Sequence, residues 1–132
     1  MKFASTRLIA ADIQVMVSFY EMVTGHRADW LAPQFAEIVT PTATLAIGSA
    51  ETVALFQAGS AEPGANRTAI LEFMVDDIDA AFDRLKGEVE LVHEPKLLPW
   101  GNRSVQFRDP EGSIVSLFTP STAAAKERFG SR

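Results

Sequence analysis

The chain contains no cysteine, which excludes disulfide staples, thiolate metal sites and cysteine nucleophiles. Histidine is scarce: His26 and His93 are the only two, few for an imidazole cluster that holds zinc or iron. Positive charge is not in excess. The net charge is −5 and the pI about 5.0, so neither nucleic acid nor an anionic membrane is an expected partner. Long apolar runs are missing as well. Arg7 and Asp12 break the N-terminal apolar stretch before it reaches the length of a signal-peptide core, and nothing later approaches the roughly 20 apolar residues of a membrane span. A cytoplasmic protein is the expectation. There is no Gly-rich phosphate loop and no dinucleotide fingerprint, and Ser5 and Ser116 have no histidine placed to activate them.

What is present is a repeat. At 132 residues, 47% of them hydrophobic, the chain is long enough for one domain with a core and short for two. Leu8 to Ile13 leads through Asp12 into Ile13, Met16, Val17 and Tyr20. Met74 to Ile78 leads through Asp77 into Ile78, Ala81, Phe82 and Leu85. The two aspartates stand 65 positions apart. Both apolar sets run i, i+3, i+4, i+7, one face of an α-helix, and each Asp is placed as a helix N-cap. Three β-rich runs follow each helix: Phe35 to Thr40, Thr44 to Ile47 and Thr52 to Gln57 in the first half, and Val89 to His93, Arg103 to Arg108 and Ser113 to Phe118 in the second. Gly25 and Gly87 stop the helices, and Asp109-Pro110-Glu111-Gly112 is the last turn. The predicted fold is α+β, two pseudo-symmetric βαβββ modules in a single domain spanning 1–132: module 1 about 3–58, a turn-rich linker 59–66, module 2 about 67–119 and a tail 120–132. In the tail, Ala123 to Arg128 has a thin apolar face, for which a short helix and a frayed end are both open.

This order of elements resembles the vicinal oxygen chelate superfamily, which includes glyoxalase I, bleomycin and fosfomycin resistance proteins and extradiol dioxygenases. The resemblance rests on Val75-Asp76-Asp77-Ile78-Asp79 at the second helix, on Phe19-Tyr20 in the first, and on Pro99-Trp100-Gly101-Asn102-Arg103-Ser104 followed by Phe107-Arg108-Asp109-Pro110-Glu111-Gly112. It covers roughly residues 3–119. It implies curled mixed sheets that form a cup. Members that use metal carry His, Gln or Glu at four positions there, which by alignment are Ser5, Ile70, about Ala54, and Ser116. None of these supplies an imidazole or carboxylate, so the expectation is no metal ligand, no cofactor and no catalytic residue. His26 and His93 read as surface or packing residues.

Strand alternation gives the cup lining, since residues two apart share a face. Ser5 continues with Arg7 and Ile9; Ile70 continues with Glu72 and Met74. Arg7 and Glu72 are 65 apart and so stand at symmetry-equivalent points. Two readings of them stay open: a charge pair that neutralises itself, and a guanidinium and a carboxylate offered to a polar ligand. Phe56 and Phe118 share parity with Ala54 and Ser116. Trp30, Phe35 and Trp100 lie on or beside connecting segments at a mouth, and Glu37 is a further candidate to point inward. The expected ligand site is therefore Arg7, Glu72, Phe56, Trp30, Ser5, Ser116, Phe118 and Trp100. The resemblance implies a homodimer that binds a small organic molecule, an antibiotic or a secondary metabolite, without metal. The alternative is a metal-independent isomerase or lyase with Glu72 as general base.

Overall fold

The computed structural model describes all 132 residues. They divide into two compact units, Met1–Asn66 and Arg67–Arg132. Each is a four-stranded mixed sheet with helices, built in the order βαβββ.

The first unit runs β1 (Ser5–Ala10), α1 (Ile13–Thr24), β2 (Asp29–Ala32), β3 (Phe35–Val39), β4 (Thr44–Ser49) and a 3₁₀ helix (Ala50–Leu55). Its strand order is β1-β4-β3-β2, with β1 parallel to β4 and the other pairs antiparallel. Helix α1 starts where Asp12 stops the strand: its carboxylate accepts a hydrogen bond from the Val15 amide at 3.2 Å, satisfying a donor the first turn leaves free. It ends at Gly25, whose φ of 71° is left-handed. Met16, Val17, Tyr20 and Val23 are buried on its inner face, and α1 contacts β3 and β4, where Ala36, Ile38, Leu45 and Ile47 form the core beneath it.

Two elements differ from the sequence expectation. Thr52 to Gln57 is not a strand. The Thr52 hydroxyl donates to the Ser49 carbonyl at 2.7 Å, a local bond that competes with a sheet ladder and turns the chain out of the sheet. The missing strand is instead Asp29–Ala32, a short edge paired with β3 across Pro33-Gln34.

The second unit runs β5 (Ile70–Met74), α2 (Ile78–Leu85), β6 (Glu90–Leu97), β7 (Asn102–Arg108), β8 (Ile114–Pro120) and α3 (Ala123–Gly130). The order β5-β8-β7-β6 repeats that of the first sheet. Asp77 caps α2 as Asp12 caps α1, accepting from the Ala80 amide at 3.1 Å. Asp109 ties the last turn together, its carboxylate accepting from the amides of Glu111 and Ser113. Val105, Phe107, Val115 and Leu117 are buried on one face of the sheet, and α2 contacts β6, β7 and β8.

The tail is a helix. Thr122 caps α3 by accepting from the Ala125 amide at 3.2 Å, Ala125 is fully buried, and Phe129 meets Phe118 of β8 with ring centres 5.1 Å apart. Phe118 alternates with Leu117, so α3 occupies the face of the sheet away from α2.

Candidate ligand-binding face

Residues paired across a ladder share a face, so the register builds the site strand by strand. In the first unit Leu8, Ile47, Ala36 and Trp30 form one row, on the side covered by α1. On the other side Arg7, Ala46, Glu37 and Asp29 form a row, next to Ile9, Gly48 and Phe35. The middle strand presents Thr44, Ala46 and Gly48 on this face, and the larger side chains around them already cover it: Ala46 is 1% exposed and Gly48 is buried. The space over Gly48 is already used: a Cβ there would stand 3.7 Å from the Phe35 ring and 2.9 Å from the Thr52 hydroxyl.

Arg7 is the charged centre of this face. Its guanidinium carbon lies 4.9 Å from the centre of the Phe35 ring and 5.4 Å from that of Phe56, within range for cation–π attraction. The side chain is exposed, and no carboxylate of its own unit lies within ion-pair distance. Phe56 is 72% exposed. It reaches Arg7 from the end of the 3₁₀ helix, not from the strand that sequence parity assigned to it.

In the second unit the row equivalent to that of Arg7 is Glu72, Ser116, Gln106 and His93. Beside it run Met74, Phe118, Ser104 and Lys96. Ser116 and Phe118 share the face of Glu72, as alternation requires, but they do not wall an open space. Both are buried, Ser116 with its hydroxyl 3.0 Å from that of Ser104 and Phe118 beneath Phe129. For Phe118 the tail helix is the reason, and its docking is what sequence periodicity left open. Glu72 itself is exposed.

Other expected residues fall elsewhere. Trp30 is a correction: its register with Ala36 puts it on the α1 side, opposite Arg7. Ser5 stands exposed at the start of β1 on the Arg7 face. Trp100 is exposed in the β6–β7 turn, where its carbonyl accepts from Arg128 at 3.3 Å. Ala54 is on the 3₁₀ helix; the residue opposite Arg7, as Ser116 is opposite Glu72, is Ala46. Glu37 shares the face of Arg7, and His93 shares its row with Glu72 at a bulge, its Nδ1 donating to the Glu94 carbonyl at 2.7 Å. Register with Ala46 and Gln106 identifies both, information that single-strand alternation lacks.

Metal-dependent chemistry of the kind the fold hosts needs several His, Gln or Glu side chains at one point. Hydroxyls at Ser5 and Ser116 and alkyl groups at Ile70, Ala46 and Ala54 do not fit such an ion, and no group of three His, Asp or Glu side chains assembles anywhere in the chain. One cleft of about 400 Å³ lies beside Asp12, Ser49 and Glu51, and another of about 360 Å³ lies between Met74, Thr119 and Phe129. Neither is lined by Arg7, Phe56 or Glu72. No helix is long and apolar enough to cross a membrane.

Two βαβββ modules, each with strand order 1-4-3-2 and a helix on one face, define a protein of the vicinal oxygen chelate type. The chain belongs to the Glyoxalase/Bleomycin resistance protein/Dioxygenase superfamily, matching that family over residues 2–117. Among solved structures it is similar to a glyoxalase/bleomycin resistance protein/dioxygenase from Nocardioides, with 24% identity and a TM-score of 0.76 over 93% of this chain and 85% of that one. A family enzyme from Burkholderia phytofirmans PsJN gives 19% identity and a TM-score of 0.80 over 91% and 99%. A lactoylglutathione lyase from Agrobacterium tumefaciens gives 25% and 0.70 over 89% and 92%. No curated protein matches the sequence.

Proposed function

We propose that this protein binds a small organic molecule at the Arg7 face of its first sheet without help from a metal ion, and that it acts by sequestering that molecule, an antibiotic or a secondary metabolite, as a homodimer. The observation that carries the reading is Arg7, exposed and lying over Phe35 and Phe56: a cation held against two aromatic rings at the surface of the first sheet. Exposed Leu55 and Phe56 on this unit, and Ile70 and Met74 on β5, leave apolar surface for a second copy to cover.

A thermal-shift screen of planar antibiotics and aromatic metabolites, run on the wild type and on Phe56→Ala with and without chelator, tests the reading. Expected are hits that survive chelation and are lost in Phe56→Ala. Hits abolished by chelator overturn metal independence. Turnover of a hit that Glu72→Gln abolishes replaces sequestration by metal-independent isomerase or lyase chemistry.

A further inference from the structure

We propose that the cleft of about 400 Å³ beside Asp12, Ser49 and Glu51 is a second binding site of the first unit, and that it takes a small organic diammonium ion whose N–H groups bond to the Ser49 hydroxyl and to the carboxylates of Asp12 and Glu51.

The argument starts from Ser49. It pairs with Ala10 at the end of the β1–β4 ladder and stands two residues beyond Ile47, so its side chain is on the side of the sheet that carries α1. Its backbone is satisfied: the amide donates to the Gln34 carbonyl at 2.9 Å, and the carbonyl accepts from the Thr52 hydroxyl. Its hydroxyl is not. Ser49 is only 9% exposed, and its Oγ is buried without a hydrogen-bond partner. A serine at a helix N-cap ordinarily accepts from an amide of the first turn. Ser49 holds that position before the 3₁₀ helix and makes no such bond. Buried hydroxyls nearly always have a partner, and this one belongs to a residue that lines a cleft, where a bound molecule can supply it.

The walls fix the charge. Asp12 and Glu51 are the charged residues of the lining, with no Lys, Arg or His among them. Asp12 gives Oδ1 to the Val15 amide and keeps Oδ2 for a second donor. Glu51 is exposed and enters no ion pair. Two carboxylates favour a dication over a monocation. The volume equals that of about a dozen water molecules, within the range of small-molecule sites and far above that of a bare metal ion. No group of three His, Asp or Glu side chains assembles to replace a metal's water shell. Ile13 and Pro33, also in the lining, offer apolar surface to a short methylene chain. The Ser49 side chain and Arg7 are on opposite sides of the sheet, so this site is distinct from the face proposed above.

Amide NMR titration at low ionic strength with putrescine, butylamine, tetramethylammonium and calcium tests the assignment, with thermal melts confirming that each variant is folded. Putrescine should shift the amides around Asp12, Gln34 and Ser49 and bind more tightly than butylamine. Tetramethylammonium, charged but without N–H groups, should bind more weakly than either. Asp12→Asn keeps a capping oxygen and removes the charge; it and Glu51→Gln should each weaken putrescine about threefold or more and narrow its advantage over butylamine. Ser49→Ala should weaken both amines about fivefold, the loss of one hydrogen bond, leave tetramethylammonium unchanged, and melt no lower than wild type, because no internal bond is lost. Shifts confined to other residues, or none at millimolar putrescine, overturn the site. Tetramethylammonium or calcium binding as tightly as putrescine overturns the ligand class, and amine affinity that survives Ser49→Ala overturns the role of the hydroxyl. None of these variants alters Arg7 or Phe56, so the reading of that face stands or falls separately.

Discussion

Phe129 of α3 stands over Phe118 of β8, with ring centres 5.1 Å apart and planes inclined by 50°. Helix α3 has only Ala125 fully buried, so this aromatic contact is its main anchor. Phe129→Ala should lower stability by about 1–2 kcal/mol, the loss of a partly buried aromatic pair, and should release the helix. Urea denaturation measures the first and loss of helical circular dichroism the second. An unchanged midpoint would show that the tail contributes nothing to the second sheet.

Gly101 fixes the other end of the same helix. It has a φ of 95°, and a Cβ there would collide with the Thr122 hydroxyl and stand 2.9 Å from the Ala125 methyl. The Gly101 carbonyl also accepts from the amides of Ser121 and Thr122. Gly101→Ala combines backbone strain with displacement of the helix start, and a loss of roughly 2–3 kcal/mol is expected. A melting temperature equal to wild type would mean that α3 gives way without cost.

What the sequence made legible was the part governed by periodicity. Asp12 and Asp77 cap their helices, Gly25 ends the first, and the two modules share one order of strands. These features depend on neighbours three or four residues away. The errors came from competition between local and distant bonds: Thr52 has strand character, but its hydroxyl bonds back to Ser49 and the chain leaves the sheet. Asp29–Ala32 is too short to show alternation, and with it went the face of Trp30, which only pairing with Ala36 reveals. Parity along β8 placed Ser116 and Phe118 on the correct face, but whether that face is open depends on where a tail with a weak apolar stripe docks.

Asp79 and Arg103 form an exposed pair, with guanidinium nitrogens 2.8 and 3.2 Å from the two carboxylate oxygens. The hydrogen bonds from Arg103 hold the Asp79 carboxyl below its ordinary pKa, and Asp79 in turn raises that of Arg103, which stays charged throughout. A carboxylate depressed in the folded state stabilises above its unfolded pKa, about 3.9. That contribution fades as the pH falls through the folded value. Asp79→Asn should therefore melt slightly below wild type near neutral pH and together with it in strong acid, the gap shrinking in high salt. Carbon-detected titration of Asp79 in the wild type should give a midpoint below the usual Asp value; an ordinary midpoint would show that the pair does not persist in solution.

Ser104 and Ser116 offer a test of how the covered face of the second sheet is held. Both are about 1% exposed, and their hydroxyls are 3.0 Å apart, so each is the other's partner away from the solvent-exposed surface. Replacing one strands the other. Ser116→Ala or Ser104→Ala alone should cost about 1–3 kcal/mol, the penalty of a buried hydroxyl left unsatisfied. The double change removes both polar groups and leaves only a small apolar gap, so it should cost less than the sum of the two. A coupling of about 1 kcal/mol in the double-mutant cycle is expected. Strictly additive losses would mean that water reaches each hydroxyl independently and that the pair is not closed off in solution.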